Sequence, residues 1–221
     1  MKQASEAMEN SMLERSQITL SDRDDPLLLA WPTQGNAGGF IIFEKVADWR
    51  AFVESLAIDA RIPEVVRAKY ARAQVLYLLG WVDFSILKAG ELAALIALEL
   101  ELALIDRYGG QITKSKRNFA ALLKFMVESD GLTDDRIPMI VRCGGTAVGQ
   151  LIGATHPTLA ERRNVLAHGD PFDGLPTGGL LELIRDLINY AYRQYLAQAA
   201  SLSLAPHPAT FNNLEADHGE L

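Results

Sequence analysis

Cysteine is nearly absent from this sequence: Cys143 is the only one in 221 residues. One thiol forms no intrachain disulfide and builds no cysteine-based zinc site, so disulfide scaffolds and zinc fingers are excluded. A reducing, cytoplasmic location is the simple expectation. Histidine is scarce as well, at four residues. No HExxH pattern, cysteine pair or acidic cluster stands at ligand spacing, so neither a metal nor a cofactor is expected. Basic residues are outnumbered, 21 Lys and Arg against 28 Asp and Glu, for a formal charge of −7. Such a chain is a poor general binder of nucleic acid, because attraction to phosphates needs clustered Lys and Arg. Any action on RNA would need a local basic patch or restricted access. Residues 1–15 mix Lys2, Glu6, Glu9, Glu14 and Arg15 with small residues and hold no apolar signal-peptide core. The most apolar run, residues 92–105, carries Glu99 and Glu101 and is too short for a bilayer, so no membrane role is expected.

What is present is the material of a folded domain: 49% hydrophobic residues and 22% charged. Residues 1–16 read as a flexible N-terminus. Residues 17–60 form an extension of short apolar runs, Ile18-Thr19-Leu20, Leu27 to Trp31 and Phe40 to Phe43, cut by Pro26, Pro32, Gly35, Asn36, Gly38 and Gly39. That punctuation predicts a small β-hairpin or irregular flap. A short helix follows over residues 47–56, with Trp49, Phe52 and Leu56 on one side. Residues 61–200 read as a helical domain, and residues 201–221 as a tail.

Within the helical domain, Pro63 and Glu64 suit a helix start. The next helix, about residues 86–108, is apolar nearly all round and should sit centrally, with Gly109-Gly110 as its stop. Another spans about residues 118–129, with Phe119, Leu122, Leu123 and Met126 inward. Pro138 opens a further apolar segment. Gly145, Gly149 and Gly153 recur every four residues and would line one helix face. Thr158-Leu159-Ala160-Glu161 has capping-box spacing and opens a helix that Gly169 and Pro171 end. The last helix runs from about Thr177 to Ala200, with Leu180, Leu183, Ile184, Leu187, Ala191 and Tyr195 inward. The fold class is therefore all-α, with a small N-terminal hairpin or irregular extension.

The helix opened by Thr158 carries the residues of greatest chemical interest. At about 100° per residue, Leu159, Leu166, Ala160 and Ala167 form its apolar arc, and Arg163 falls inside that arc. A guanidinium is almost never buried without a partner. Glu99, set among Leu92, Leu95, Ile96 and Leu102, is the candidate for a structural ion pair. Asn164 and His168 are four residues apart and share a face. Arg163 and His168 are about 140° apart, so one helix does not aim them at a single point. The reach of the Arg side chain, or a second copy of the helix across a dimer, would close that gap.

Arg163-Asn164-Val165-Leu166-Ala167-His168 resembles the Arg-x4-His motif of HEPN domains, with Asn directly after Arg as in many members. Its place at a helix end before Gly169 and a last long amphipathic helix, downstream of a Tyr-rich helix and a very apolar one, is also similar to the HEPN bundle. The resemblance covers roughly residues 63–200 and implies an antiparallel helical bundle. Many HEPN proteins are metal-independent endoribonucleases that act as homodimers, often in defence or toxin–antitoxin systems with a regulatory partner. The resemblance implies His168 as general acid/base and Arg163 as the stabiliser of phosphate charge, with Asn164 orienting one or the other. RNA supplies its own nucleophile, the 2′-hydroxyl. Imidazole is suited to proton transfer near neutral pH, and a guanidinium fork suits a phosphate. Arg162, Lys114, Lys116 and Arg117 are the candidates for guiding an RNA backbone, or else an ordinary solvated face. Some family members carry a Tyr two residues after the His as the target of a nucleotidyltransferase. Here that position is Asp170, so that partnership is not implied. Three readings stay open: a homodimeric ribonuclease, a non-catalytic HEPN-like module binding nucleotide, RNA or protein, and a purely structural helical protein.

Overall fold

Apolar residues stand in short continuous runs up to Phe43 and at spacings of three or four beyond it, and the secondary structure changes with them. In the computed structural model, residues 18–99, 107–113, 117–169 and 175–203 are described. The expected N-terminus over residues 1–16, most of the tail, Lys114, Lys116, Asp170 and Pro171 lie outside them. So do residues 100–106 of the helix expected over residues 86–108.

Two strands, β1 (Leu27–Ala30) and β2 (Phe40–Phe43), pair antiparallel with Leu27 opposite Phe43 and Ala30 opposite Phe40. Leu27 and Leu29 are buried while Leu28 between them is exposed, the alternation a half-buried sheet requires. Helix α1 (Val46–Ser55) follows, with Trp49 and Val53 inward. Aromatic edges join these parts. Trp49 meets Phe43, and Trp31 meets Phe52, each at 5.0 Å between ring centres. Trp49 Nε1 also donates to the Leu78 carbonyl at 3.1 Å. The hairpin, α1 and the helices downstream therefore share one continuous core.

Seven more helices complete the described fold: α2 (Glu64–Leu79), α3 (Ile86–Glu99), α4 (Phe119–Glu128), α5 (Pro138–Cys143), α6 (Val148–Ile152), α7 (Leu159–Ala167) and α8 (Leu180–Ser203). The molecule is mostly helical, with the two-stranded sheet near its N-terminus. Pro63 is the N-cap of α2 rather than its first helical residue. Helix α3 is central: Leu87, Ala94, Leu95 and Leu98 are fully buried, and it packs against α2, α7 and α8. No helix among the described residues is long and apolar enough to cross a membrane.

Two expectations differ from the structure. Gly145, Gly149 and Gly153 do not line one helix face. Gly144 and Gly145 take positive φ values of 81° and 90° and end α5, and Gly153 is the left-handed cap of α6, leaving only Gly149 helical. Glycine adopts such angles without the steric cost that stops other residues. Tyr195 is 37% exposed rather than inward: its ring lies edge-on to Tyr192 at 6.0 Å, while Leu196 beside it packs on the core.

Candidate functional site

Helix α7 begins with a complete capping box. Thr158 Oγ1 accepts from the Glu161 N–H at 3.0 Å, and Glu161 Oε2 accepts from the Thr158 N–H at 2.8 Å. The same carboxylate holds His156 Nδ1 at 2.9 Å, a role for His156 that sequence spacing does not reveal. His156 and the capping bond to Thr158 hold the Glu161 carboxyl below its ordinary value. The helix ends at His168, whose N–H donates to the Asn164 carbonyl at 3.0 Å, and Gly169 leaves it with φ of 79°.

The apolar arc of α7 is only partly used. Leu159 is buried and Ala160 and Leu166 are half-buried, but Ala167 is exposed. The helix touches α3 along one side, with lighter contacts to α4 and α6, so its C-terminal half stands near solvent. Arg163 consequently lies at an edge rather than in a sealed core. Its Nε donates to Glu99 Oε2 at 2.6 Å, and its Nη1 donates to Asn164 Oδ1 at 3.1 Å. The side chains of Arg163 and Glu99 remain 31% and 21% exposed, which leaves the guanidinium within reach of a ligand.

The structure thus brings Arg163, Asn164 and Glu99 into one hydrogen-bonded group. His168 is exposed one turn further on, and among the described residues no hydrogen bond joins its ring to Arg163 or Asn164. Arg117 stands apart, its Nη2 donating to the Ile112 carbonyl at 3.4 Å. Arg162 turns away from Arg163, and its Nη1 donates to Thr177 Oγ1 at 3.1 Å.

Thr177 leads to a residue absent from the sequence-based set. Its N–H donates to Oε1 of Glu91, a carboxylate on α3 that is only 2% exposed. Burial pushes the Glu91 carboxyl up to about 7, against the opposing pull of the Thr177 N–H, Lys88 and Arg162. The available signal is the helix itself: Glu91 falls three to four residues from Leu87, Ala94 and Leu95, all buried.

Among the described residues no group of three or more His, Cys, Asp or Glu could hold a metal ion. A small recess lined by Arg50, Val53, Glu54, Gln74 and Leu78 belongs to α1 and α2 and shares no residue with α7. The chain matches no known family model, no curated protein and no solved structure.

Proposed function

We propose that the chain is a HEPN-type, metal-independent endoribonuclease acting as a homodimer, in a defence or toxin–antitoxin setting with a regulatory protein partner. His168 is the general acid/base, Arg163 stabilises charge on the phosphate, and Asn164 orients Arg163. One observation carries this reading: the half-exposed Arg163 guanidinium is held by Glu99 and Asn164, with an exposed His168 one turn along the same helix. In the reaction the 2′-hydroxyl loses its proton to an imidazole and attacks the adjacent phosphorus. The 5′-oxygen leaves with a proton, giving a 2′,3′-cyclic phosphate and a free 5′-hydroxyl. Developing phosphate charge is what a pre-oriented guanidinium stabilises. Because Arg163 and His168 diverge by about 140° on one helix, the composite site uses α7 from two subunits. Arg117, Lys114 and Lys116 are the residues proposed to guide the RNA backbone; Arg162, the fourth candidate, is turned to Thr177 and is not available for that role.

The Arg163–Glu99 bond favours a second reading, a non-catalytic HEPN-like module that binds nucleotide, RNA or protein, in which Arg163 ties α7 to α3. RNA cleavage in EDTA separates the two. Loss of cleavage in both His168→Ala and Arg163→Ala, with folding retained, is expected. Cleavage indifferent to His168→Ala overturns the catalytic assignment, and unfolding of Arg163→Ala beside a silent His168→Ala favours the second reading.

A further inference from the structure

Glu91 has no part in the chemistry assigned to α7, yet it lies beneath that helix. It occupies the second turn of α3, where apolar neighbours leave the carboxylate no water. A buried carboxylate persists only with partners. Its partner is the N–H of Thr177, the residue that leads into α8. Arg162, the residue beside Arg163, donates to the hydroxyl of the same threonine. Thr177 is therefore gripped by its backbone from α3 and by its side chain from α7. The two residues after it have no room for a side chain. A Cβ at Gly178 would stand 2.9 Å from the Ala30 carbonyl oxygen, and one at Gly179 would stand 2.8 Å from Pro32 Cδ.

The ionisable groups that face Glu91 are Lys88 from its own helix, Arg162 from α7 and Tyr77 from α2. Arg162 Nε is buried without a hydrogen-bond partner among the described residues, and the Arg162 charge acts on the Glu91 carboxylate electrostatically. Tyr77 packs over Gly90, where a Cβ would stand 2.6 Å from its ring, and this closes the α2 side.

We propose that Glu91 is a positioning residue for the α7 site: it clamps Thr177 to α3 and, through Thr177 and Arg162, sets the orientation in which α7 presents Arg163, Asn164 and His168. The consequence for cleavage rests on the ribonuclease reading; the clamp itself does not. Because the carboxyl titrates near neutrality, the clamp is pH-sensitive. The ionised form makes the charge-assisted bond to the Thr177 N–H, and the protonated form a weaker one.

The test is amide exchange in the full-length protein at about pH 6 and about pH 8, comparing wild type with Glu91→Gln and Glu91→Ala. Protection of the Thr177 amide is read relative to a core amide such as Leu95. Glu91→Ala is expected to lose about tenfold in that protection, the scale of a hydrogen bond to a charged group. Glu91→Gln, which keeps an acceptor, is expected to retain most of it and lose its pH dependence. Unchanged protection in Glu91→Ala, or a Glu91→Gln that follows wild type through the pH range, overturns the clamp. If Glu91→Ala does not fold, the pH dependence in Glu91→Gln decides alone. In the cleavage assay Glu91→Gln should shift the acid limb of the rate profile with KM for RNA unchanged. An RNA-inactive wild type with the Thr177 effect intact removes the ribonuclease reading and leaves the clamp standing; active cleavage with no Thr177 effect does the reverse.

Discussion

Two polar regions of this protein handle buried charge in opposite ways. Under the hairpin, Glu182 accepts from Trp31 Nε1 at 3.0 Å, Arg142 Nη2 at 2.7 Å and Arg185 Nη2 at 3.1 Å. Asp186 accepts from Arg185 at 2.7 Å and from the Met139 N–H, a free donor in the first turn of α5, at 2.8 Å. Glu182 and Asp186 are 6% and 4% exposed, so these two carboxylates are shut in and meet their charge partners within the protein, although Arg142 itself keeps 35% of its side chain exposed. Around α7 the charges are instead left partly open. Arg163 keeps an exposed flank and His168 faces solvent, while Arg162 Nε is buried with no hydrogen bond among the described residues. The first arrangement fastens the hairpin and α5 to α8. The second leaves Arg163 and His168 in contact with solvent.

Breaking the closed network should cost most. Glu182→Ala removes the acceptor of the Trp31 indole N–H and a carboxylate from both Arg142 and Arg185, which keep only the Pro32 carbonyl and Asp186, and unfolding in urea should show a loss of about 3–5 kcal/mol. A loss near zero would erase the contrast between the regions. The Glu91 clamp comes next, through pH. Its carboxyl is raised from 4.5 to about 7 in the folded state, so the folded protein holds the proton more tightly. Burial of the ionised carboxylate costs more than its stronger bond to the Thr177 N–H returns, so the global stability tied to the protonated form is fully present below pH 4.5 and is lost as pH rises to about 7, even as the local clamp tightens. Between those limits wild type should lose roughly 2–3 kcal/mol that Glu91→Gln does not lose, visible as converging melting temperatures at low pH and diverging ones at high pH. Arg163→Ala breaks a pair that is open to water, and should cost only about 1 kcal/mol of stability while removing RNA cleavage. His168→Ala should leave stability within about 0.5 kcal/mol and still abolish cleavage, measured by melting and by product gels together. A large stability loss in His168→Ala would place that residue in the architecture instead.

Much of the fold was legible because its signals are local. The Thr158 box and Pro138 at the start of α5 are decided within three or four residues. The candidate site was legible as a string, Arg163 to His168, with Glu99 singled out by the wheel as a carboxylate on an apolar helix. The glycine stripe misled because a four-residue period says nothing about φ, and positive φ at Gly144, Gly145 and Gly153 ended the helices there. Tyr195 misled because helical spacing alone did not decide between it and Leu196, the residue that packs on the core.

By itself, then, the sequence determined the helical class, the apolar runs of the N-terminal extension, the Thr158 cap and the residues worth attention on α7, since each depends on neighbours along the chain. Only the tertiary structure decided which charges meet. Thr177 and Glu91 are 86 residues apart and Trp31 and Glu182 are 151 apart. No local period encodes such contacts. They are selected when packed helices exclude water and each buried polar group must find its partner within the protein.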